Sequence, residues 1–377
     1  MPHWSVYTGN SEPHDGIDRL PAPPPWRAFD GAPVLPPPRD ADDEAAVSPD
    51  RVHRARTYVA TPEAVQLVNA ALVLRRPLLV TGPPGTGKSS LAYAVARELR
   101  LGPVLRWNIT SRSTLADGLY QYDPLSRLYA ARQASLAGDA TGGAGVEDHL
   151  RLGPLGTALL PYARPRVLLV DEIDKSDLDL PNDLLNVLEE GQYDIPELMR
   201  ATRRTTGGGT HTEARGETDA EARGGADAEA RGGADAESGG GAGEEAVEVL
   251  ADGTGAPVPV RRGRVRCRAF PFVVLTSNGE REFPPAFLRR CVRLALRSPD
   301  GERLAEIVRA HLGTATGGAG RLIDRFVERA KDGELATDQL LNAVYLTGVA
   351  GLDADSRDAL AEQLMPYLSA PADGDGL

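Results

Sequence analysis

The sequence predicts an α/β domain built on a parallel sheet, followed by a small helical domain. Short apolar runs alternate with segments of helical periodicity, which is typical of a parallel sheet covered by helices. One such run leads through a glycine-rich turn into a helix, in LLVTGPPGTGKSS at residues 78–90. Beyond about residue 300 only amphipathic helical segments remain, and we place them at 302–312, 321–331, 337–348 and 355–368.

The elements of the first domain follow from local patterns. Thr61-Pro62-Glu63 has the N-cap, first-position proline and acidic first turn of a helix start. Leu78 to Val80 form a buried strand, and the helix after the turn repeats apolar residues every four positions. Further strands are predicted at 104–109, 167–170 and 270–278, and further helices at 112–135 and 182–191.

Two segments are expected to stand outside the packed domains. Residues 1–50 are rich in proline and lack apolar periodicity, which predicts a disordered or extended tail. Residues 213–236 repeat an octapeptide, EARGETDA and then EARGGADA twice, with nothing bulky to bury. We therefore expect domains at 51–298 and 299–368, a solvated insert at 207–243 and a short tail at 369–377.

The net charge of −12 lies almost entirely in these two segments. Residues 1–50 carry −6 and residues 213–245 carry −7, which leaves +1 for the rest of the chain. A nearly neutral folded part gives no support for a face that binds duplex nucleic acid, so nucleic acid is not expected as a partner.

Composition also limits where in the cell we expect the protein and whether we expect disulfide or metal sites. No apolar run is long enough to span a membrane, and no signal segment is evident at the N-terminus. The two cysteines, Cys267 and Cys291, offer neither a disulfide framework nor a metal site. We expect a cytoplasmic protein without membrane contact.

The glycine-rich turn fits the phosphate-binding loop G-x-x-x-x-G-K-[ST] at every fixed position. Its glycines let successive N–H groups point at an anion near a helix N-terminus. Lys88 is expected along the β- and γ-phosphates of a nucleotide, and the Ser89 hydroxyl on Mg²⁺. The predicted nucleotide-binding residues are Gly82, Pro83, Pro84, Gly85, Thr86, Gly87, Lys88, Ser89 and Ser90.

Two later strand ends supply the remaining chemistry. LLVDEID ends a buried strand in Asp171, placed to hold the Mg²⁺ shell, and Glu172, which can act as general base on water. In VVLTSN, Asn278 at the tip of a strand would orient that water against the γ-phosphate. An acidic pair downstream of a phosphate loop predicts hydrolysis.

The ordered set GPPGTGKS, LLVDEID, TSN and PPAFLRRC resembles an AAA+ ATPase. The segments RLGPLGTALL, DLLNVLEEGQYDI and TSNGEREFPPAFLRR resemble the MoxR family in particular, over about residues 55–365. The resemblance implies a P-loop AAA+ core with a parallel five-stranded sheet and helices on both faces, then an all-α lid. It also implies ATP hydrolysis, assembly as a ring that we expect to be a hexamer, and remodelling of a protein partner, often one with a von Willebrand factor A domain.

Two further site features come with the resemblance. Arg290, with Arg289 as second choice, matches the arginine that enters a neighbouring subunit's site; the alternative is that both arginines make surface ion pairs. Asp338 or Gln339 stands where many relatives have a lid arginine, which leaves the lid contact to phosphate open. A nucleic-acid-directed motor and a nucleotide-gated scaffold with little hydrolysis remain as other interpretations.

Overall fold

The structure is a computed structural model that describes residues 4–137, 145–206, 246–313, 319–331, 335–349, 359–361 and 363–368. Within these ranges the helices are α1 Pro49–Thr57, α2 Pro62–Leu74, α3 Lys88–Glu98, α4 Leu115–Leu119, α5 Pro124–Ala137, α6 Pro154–Ala158, α7 Leu180–Glu190, α8 Pro196–Thr206, α9 Pro285–Leu288, α10 Gly301–Leu312, α11 Ala319–Arg329 and α12 Thr337–Val349. The strands are β1 Leu78–Thr81, β2 Leu105–Asn108, β3 Tyr120–Tyr122, β4 Leu150–Leu152, β5 Val167–Asp171, β6 Gln192–Asp194, β7 Ala246–Leu250, β8 Pro257–Arg261, β9 Arg264–Arg266, β10 Phe272–Ser277 and β11 Val292–Ala295.

The predicted sheet is present, with five parallel strands in the order β11-β1-β10-β5-β2. Its central strands β5 and β10 are buried along their whole length, because helices cover both faces. Leu78 and Val80 pack on one side with α2 and α3, whereas Leu79 packs on the other side with α7. The carboxyl ends of β1, β5 and β10 therefore meet at one edge, where ligands bind in such sheets.

A second sheet of six strands, in the order β3-β4-β7-β8-β9-β6, was not predicted. Part of it lies in the segment 112–135, where a helix was expected and the structure has α4, β3 and α5. Pro124 explains the break, because a proline disfavours helical backbone in the residue before it. The apolar positions of this sheet come from strands of three to five residues, too short to show a clear period.

The N-terminal segment is packed on the domain, in contrast to the disordered tail that its composition predicts. Val6 and Tyr7 are fully buried, and both backbone N–H groups donate to Asn69 Oδ1, at 2.7 and 2.9 Å. Further along, the ring of Phe29 stacks on that of Phe270 with centroids 5.9 Å apart. These anchors are few and widely spaced along the segment, so they leave no periodic signal in the sequence.

The predicted helical domain is present as α10, α11 and α12, which share a separate apolar core. Of the fourth helix expected at 355–368, residues 359–361, 363 and 364 are helical, whereas residues 365–368 are not. Residues 355–358 and 362 lie outside the described residues, as do the insert at 207–243 and the tail at 369–377. Among the helices that the structure describes, none has the length and apolar character needed to cross a membrane.

Candidate active site

The predicted phosphate loop is the turn between β1 and α3, and two of its glycines are required by close approaches. Gly82 and Gly85 have φ angles of 151° and 75°. A side chain at Gly82 would meet the carbonyl oxygen of Leu296 at 2.3 Å, and one at Gly85 would meet the backbone nitrogen of Thr337 at 2.7 Å. Only glycine fits both positions, and the second contact sets the N-terminus of α12 against the loop.

A cavity of about 660 Å³ opens beside this loop, large enough for a nucleotide-sized ligand. The predicted residues that line it are Gly85, Thr86, Gly87, Lys88, Ser89, Ser90, Asp171, Glu172 and Asn278. Gly82, Pro83 and Pro84 lie at the start of the loop and are not part of the lining. Three separate strand ends thus bring their polar side chains to a single cavity.

Lys88 and Ser89 occupy the first turn of α3. The Lys88 ammonium donates to the carbonyl oxygens of Gly82 and Pro83, at 2.7 and 2.8 Å. Burial lowers the pKa of Lys88 from its ordinary value, while Asp174, Asp171 and Glu172 act in the opposite direction. Lys88 is therefore a desolvated cation held at the loop by its own carbonyl groups, in position to exchange them for phosphate oxygens.

Asp171 is held by three donors. Its Oδ1 accepts from the hydroxyls of Ser89 and Thr276, both at 2.7 Å, and its Oδ2 accepts from the Arg106 guanidinium at 2.9 Å. Burial alone would raise the pKa of Asp171, but these three donors outweigh it and the pKa lies below its ordinary value. Asp171 is thus an ionised carboxylate beside the Ser89 hydroxyl, and such oxygen ligands suit Mg²⁺.

Arg106 was missed in the sequence analysis, although the sequence holds a signal for it. It is the one charged residue of β2, whose burial alternates along the strand. Because β2 is parallel to β5 with Asn108 opposite Asp171, a long side chain at position 106 reaches forward to the end of the neighbouring strand. A cation placed in such a strand next to the acidic strand predicts this ion pair.

Glu172 follows Asp171 in a left-handed backbone conformation, with φ 62° and ψ 49°. This conformation is uncommon for a residue with a side chain and is concentrated at functional sites. Its carboxylate accepts from the Lys175 ammonium at 2.8 Å, and that contact raises the pKa of Lys175. The Glu172 side chain is half-exposed at the cavity wall, where it can meet a water molecule.

Asn278 lies one residue beyond β10 and lines the same cavity. Its backbone N–H donates to Asp174 Oδ2 at 2.9 Å, and Glu280 N–H donates to the same oxygen at 3.1 Å. Asp174 therefore fixes the turn that presents Asn278, which is a role that the sequence analysis did not assign to it.

The lid side of the cavity carries an acid where many relatives of the resembled family have an arginine. Asp338 lines the cavity, whereas the Gln339 side chain accepts from the backbone of Ala336 and donates to that of Pro366. Cations reach the cavity from other elements instead, namely Arg54, Arg297 and Arg303.

Arg289 and Arg290 do not line this cavity. Arg290 Nε lies 2.7 Å from Glu189 Oε1 at the end of α7, so this arginine is ion-paired within its own chain. The Arg289 side chain is exposed, and its backbone carbonyl accepts from Arg76 at 2.9 Å. Both lie just after α9, a short helix that Pro284 and Pro285 begin as predicted.

Comparison with known proteins finds similarity over about a third of the chain. Residues 77–206 match the model of the AAA domain, dynein-related subfamily. A curated protein of Rhodococcus erythropolis, an "ATP-dependent protease ATP-binding subunit-like protein", is 32% identical over 120 residues. That alignment covers 31% of this chain and 30% of the relative, so the chain spans less than a third of the relative's length.

Solved structures of low sequence identity also align with the chain. NtrX from Brucella abortus in complex with ADP is 14% identical, with a TM-score of 0.39 over 88% of this chain and 60% of that chain. The FIGL-1 AAA domain in complex with ADP is 13% identical, with a TM-score of 0.32 over 91% of this chain and 88% of that chain. The parallel sheet and the phosphate loop are consistent with this family match, so residues 77–206 are similar to an AAA domain.

Proposed function

We propose that this chain is an ATP-hydrolysing AAA+ protein of the MoxR type that remodels or activates a protein partner. The observation that carries the proposal is the meeting of Lys88, Ser89, Asp171, Glu172 and Asn278 at one cavity. A binding loop alone would account for the first two residues only. An ionised carboxylate and a second, accessible carboxylate beside it are the parts that hydrolysis needs.

Each residue has a distinct task in this proposal. Lys88 binds the β- and γ-phosphates, and the oxygens of Ser89 and Asp171 would hold Mg²⁺. Bound Mg²⁺ supplies positive charge that offsets the charge developing on the phosphate oxygens. Glu172 accepts a proton from the attacking water, and the Asn278 side chain orients that water.

The MoxR type, the ring and the partner rest on the resemblance of the linking segments and on the arginines after α9. Arg290 is proposed to leave Glu189 and enter the site of the next subunit of a ring, where a guanidinium can contact two phosphate oxygens. The partner is proposed to be a protein, with a von Willebrand factor A domain as the first candidate to test.

Two variants test the hydrolytic site. Lys88→Ala is expected to lose tight ATP binding, because the phosphate charge would face the loop without a cation. Glu172→Gln is expected to bind ATP and to stall hydrolysis, because an amide cannot accept the proton of the water. The measurements are ATP affinity by fluorescence and phosphate release; turnover close to that of the wild type in Glu172→Gln would remove this residue from the role of base.

The alternatives differ in what stimulates or limits turnover. The hairpin of β8 and β9 is rich in arginine, but Arg264 and Arg266 pair with Asp194 and Asp30, at 2.7 and 2.9 Å. These ion pairs weaken the case for a motor that follows nucleic acid. ATPase assays with and without DNA separate that motor from a protein remodeller, and a chain that binds ATP without turnover would be a scaffold.

A further inference from the structure

Thr276 lies on β10, between the strand that precedes the phosphate loop and the strand that ends in the two acids. Its side chain is 1% exposed, so its hydroxyl must find partners inside the protein. A hydroxyl has one hydrogen to donate and two lone pairs to accept with. The Thr276 hydroxyl donates to Asp171 Oδ1 at 2.7 Å and accepts from the Glu172 backbone N–H at 2.9 Å.

These two bonds join consecutive residues with different tasks. On the Glu172 side, the bond supplies a partner for the N–H of a residue in the left-handed conformation. A non-glycine residue adopts that backbone only where its surroundings hold it there. Without the hydroxyl, this N–H would face apolar side-chain atoms, and the turn that aims the Glu172 carboxylate would lose its fixed point.

On the Asp171 side, the bond sets the direction of the carboxylate. Asp171 Oδ1 accepts hydrogen bonds from the hydroxyls of both Thr276 and Ser89. Because the Ser89 hydroxyl donates its one hydrogen to Asp171, its lone pairs are available to a cation. Loss of the Thr276 donor would leave Oδ1 with Ser89 alone. The placement of the cation-binding acid and of the base thus depends on one buried oxygen atom.

We propose that Thr276 is a positioning residue that fixes Asp171 and Glu172 relative to each other through this hydroxyl. The inference rests on the proposed ATPase function. It adds Thr276 to the residues of the proposed site, and Thr276 belongs neither to the phosphate loop nor to the acidic pair and is distinct from Asn278. It requires the oxygen of Thr276 and not merely its shape, so serine is expected to replace threonine and valine is not.

The test compares Thr276→Val with Thr276→Ser in the full chain. A misplaced reacting group can cost about a hundredfold in rate, so we expect Thr276→Val to lower kcat about tenfold to a hundredfold. The ATP affinity of Thr276→Val, measured in EDTA, is expected to stay within about twofold of the wild type, because the phosphate loop is intact. The kcat of Thr276→Ser is expected to stay within about threefold of the wild type. Thr276→Val with wild-type kcat, or Thr276→Ser impaired as much as Thr276→Val, would overturn the proposal.

Thr157→Val is the matched control. Thr157 is as deeply buried as Thr276, and its hydroxyl accepts from the Asp252 backbone N–H at 2.8 Å, away from the site. Thr157→Val is expected to lower the melting temperature about as much as Thr276→Val while leaving kcat unchanged. Equal losses of kcat in both variants would show a general cost of removing a buried hydroxyl and would refute the positioning role.

A second readout does not depend on turnover. Mg²⁺ is expected to increase the affinity of the wild type and of Thr276→Ser for a fluorescent ADP analogue. In Thr276→Val, most of this Mg²⁺-dependent increase in affinity is expected to be lost. If the Mg²⁺-dependent increase in affinity is unchanged in Thr276→Val, the proposal for Thr276 is overturned, whether or not the wild type hydrolyses ATP. Absence of ATP hydrolysis by the wild type would separately refute the proposed function. Thr276→Ala serves as the hydroxyl-free variant if Thr276→Val does not fold.

Discussion

The packing of the N-terminal segment depends on one buried carboxylate, that of Glu98 in the last turn of α3. Glu98 is completely buried, and its two oxygens accept from the backbone N–H groups of Thr8, Gly9 and Ser11. The Thr8 hydroxyl lies 2.9 Å and His14 Nε2 3.2 Å from the same carboxylate. We predict that Glu98→Gln releases this segment and destabilises the domain.

The expected loss follows from these contacts. Glutamine has nearly the same shape as glutamate, but it removes the charge and turns one acceptor into an NH₂ donor. Because backbone N–H groups point at both oxygens of Glu98, at least one N–H would face that donor. Hydrogen bonds to charged groups contribute about 1.5–3 kcal/mol each, so we expect the free energy of unfolding to fall by about 3 kcal/mol.

Thermal unfolding and limited proteolysis of the full chain measure the effect. One kcal/mol shifts Tm by about 2–4 °C in a domain of 150–250 residues, which gives a drop of about 6–12 °C for Glu98→Gln. The control Glu248→Gln removes an exposed carboxylate on β7 and should stay within about 0.5 kcal/mol of the wild type. The packed segment would be refuted if both variants melted alike and a protease cut residues 1–48 equally fast in the wild type and in Glu98→Gln.

Two further predictions concern the subunit contact and the lid. Arg290→Ala should lower turnover by several orders of magnitude with ATP affinity nearly intact, and mixing it with Lys88→Ala should restore part of the activity, since each protein keeps the half-site that the other lacks. No recovery despite demonstrated co-assembly would contradict a shared site. His311 Nδ1 lies 3.0 Å from His53 Nε2 of α1, and burial, followed by the charge of His53, lowers the pKa of His311. Below about pH 6.5 the unfolded chain therefore binds more protons than the folded chain, so the stability of the fold decreases as the pH falls. The Tm difference between about pH 7.5 and about pH 5.5 should be smaller in His311→Gln than in the wild type; an equal difference would exclude His311 as the source.

The sequence was sufficient for the central sheet and the phosphate loop because both depend on local patterns. A continuous apolar run such as Val167 to Val170 predicts a strand buried on both faces, and Gly191 with φ 62° ends α7 as predicted. The fixed spacing from Gly82 to Ser89 then predicts the loop itself. These features need no knowledge of which strands are neighbours.

The features that were missed depend on distant contacts. Arg106 gains its role only because β2 lies beside β5, and Thr276 only because β10 lies on the other side of β5. The N-terminal segment is held by Asn69 and Glu98, which come from two different helices. Arg106 is marked in the sequence as the one charged residue of β2, but in each of these cases the partner that gives the residue its task lies many residues away.

Four charged groups to which the proposed function gives a task each have a partner within the chain, and these contacts bear on regulation. Carbonyl oxygens hold Lys88, Arg106 holds Asp171, Lys175 holds Glu172 and Glu189 holds Arg290. The Lys175 and Glu172 side chains are 40% and 44% exposed, and such a pair contributes no more than about 1 kcal/mol. Glu172, the proposed base, can therefore be released at little cost, whereas Asp171 is buried and keeps three donors. Nucleotide binding is then expected to change the partners of Lys88, Glu172 and Arg290. Asp171 is expected to stay in place, because its carboxylate is held by Ser89, Thr276 and Arg106.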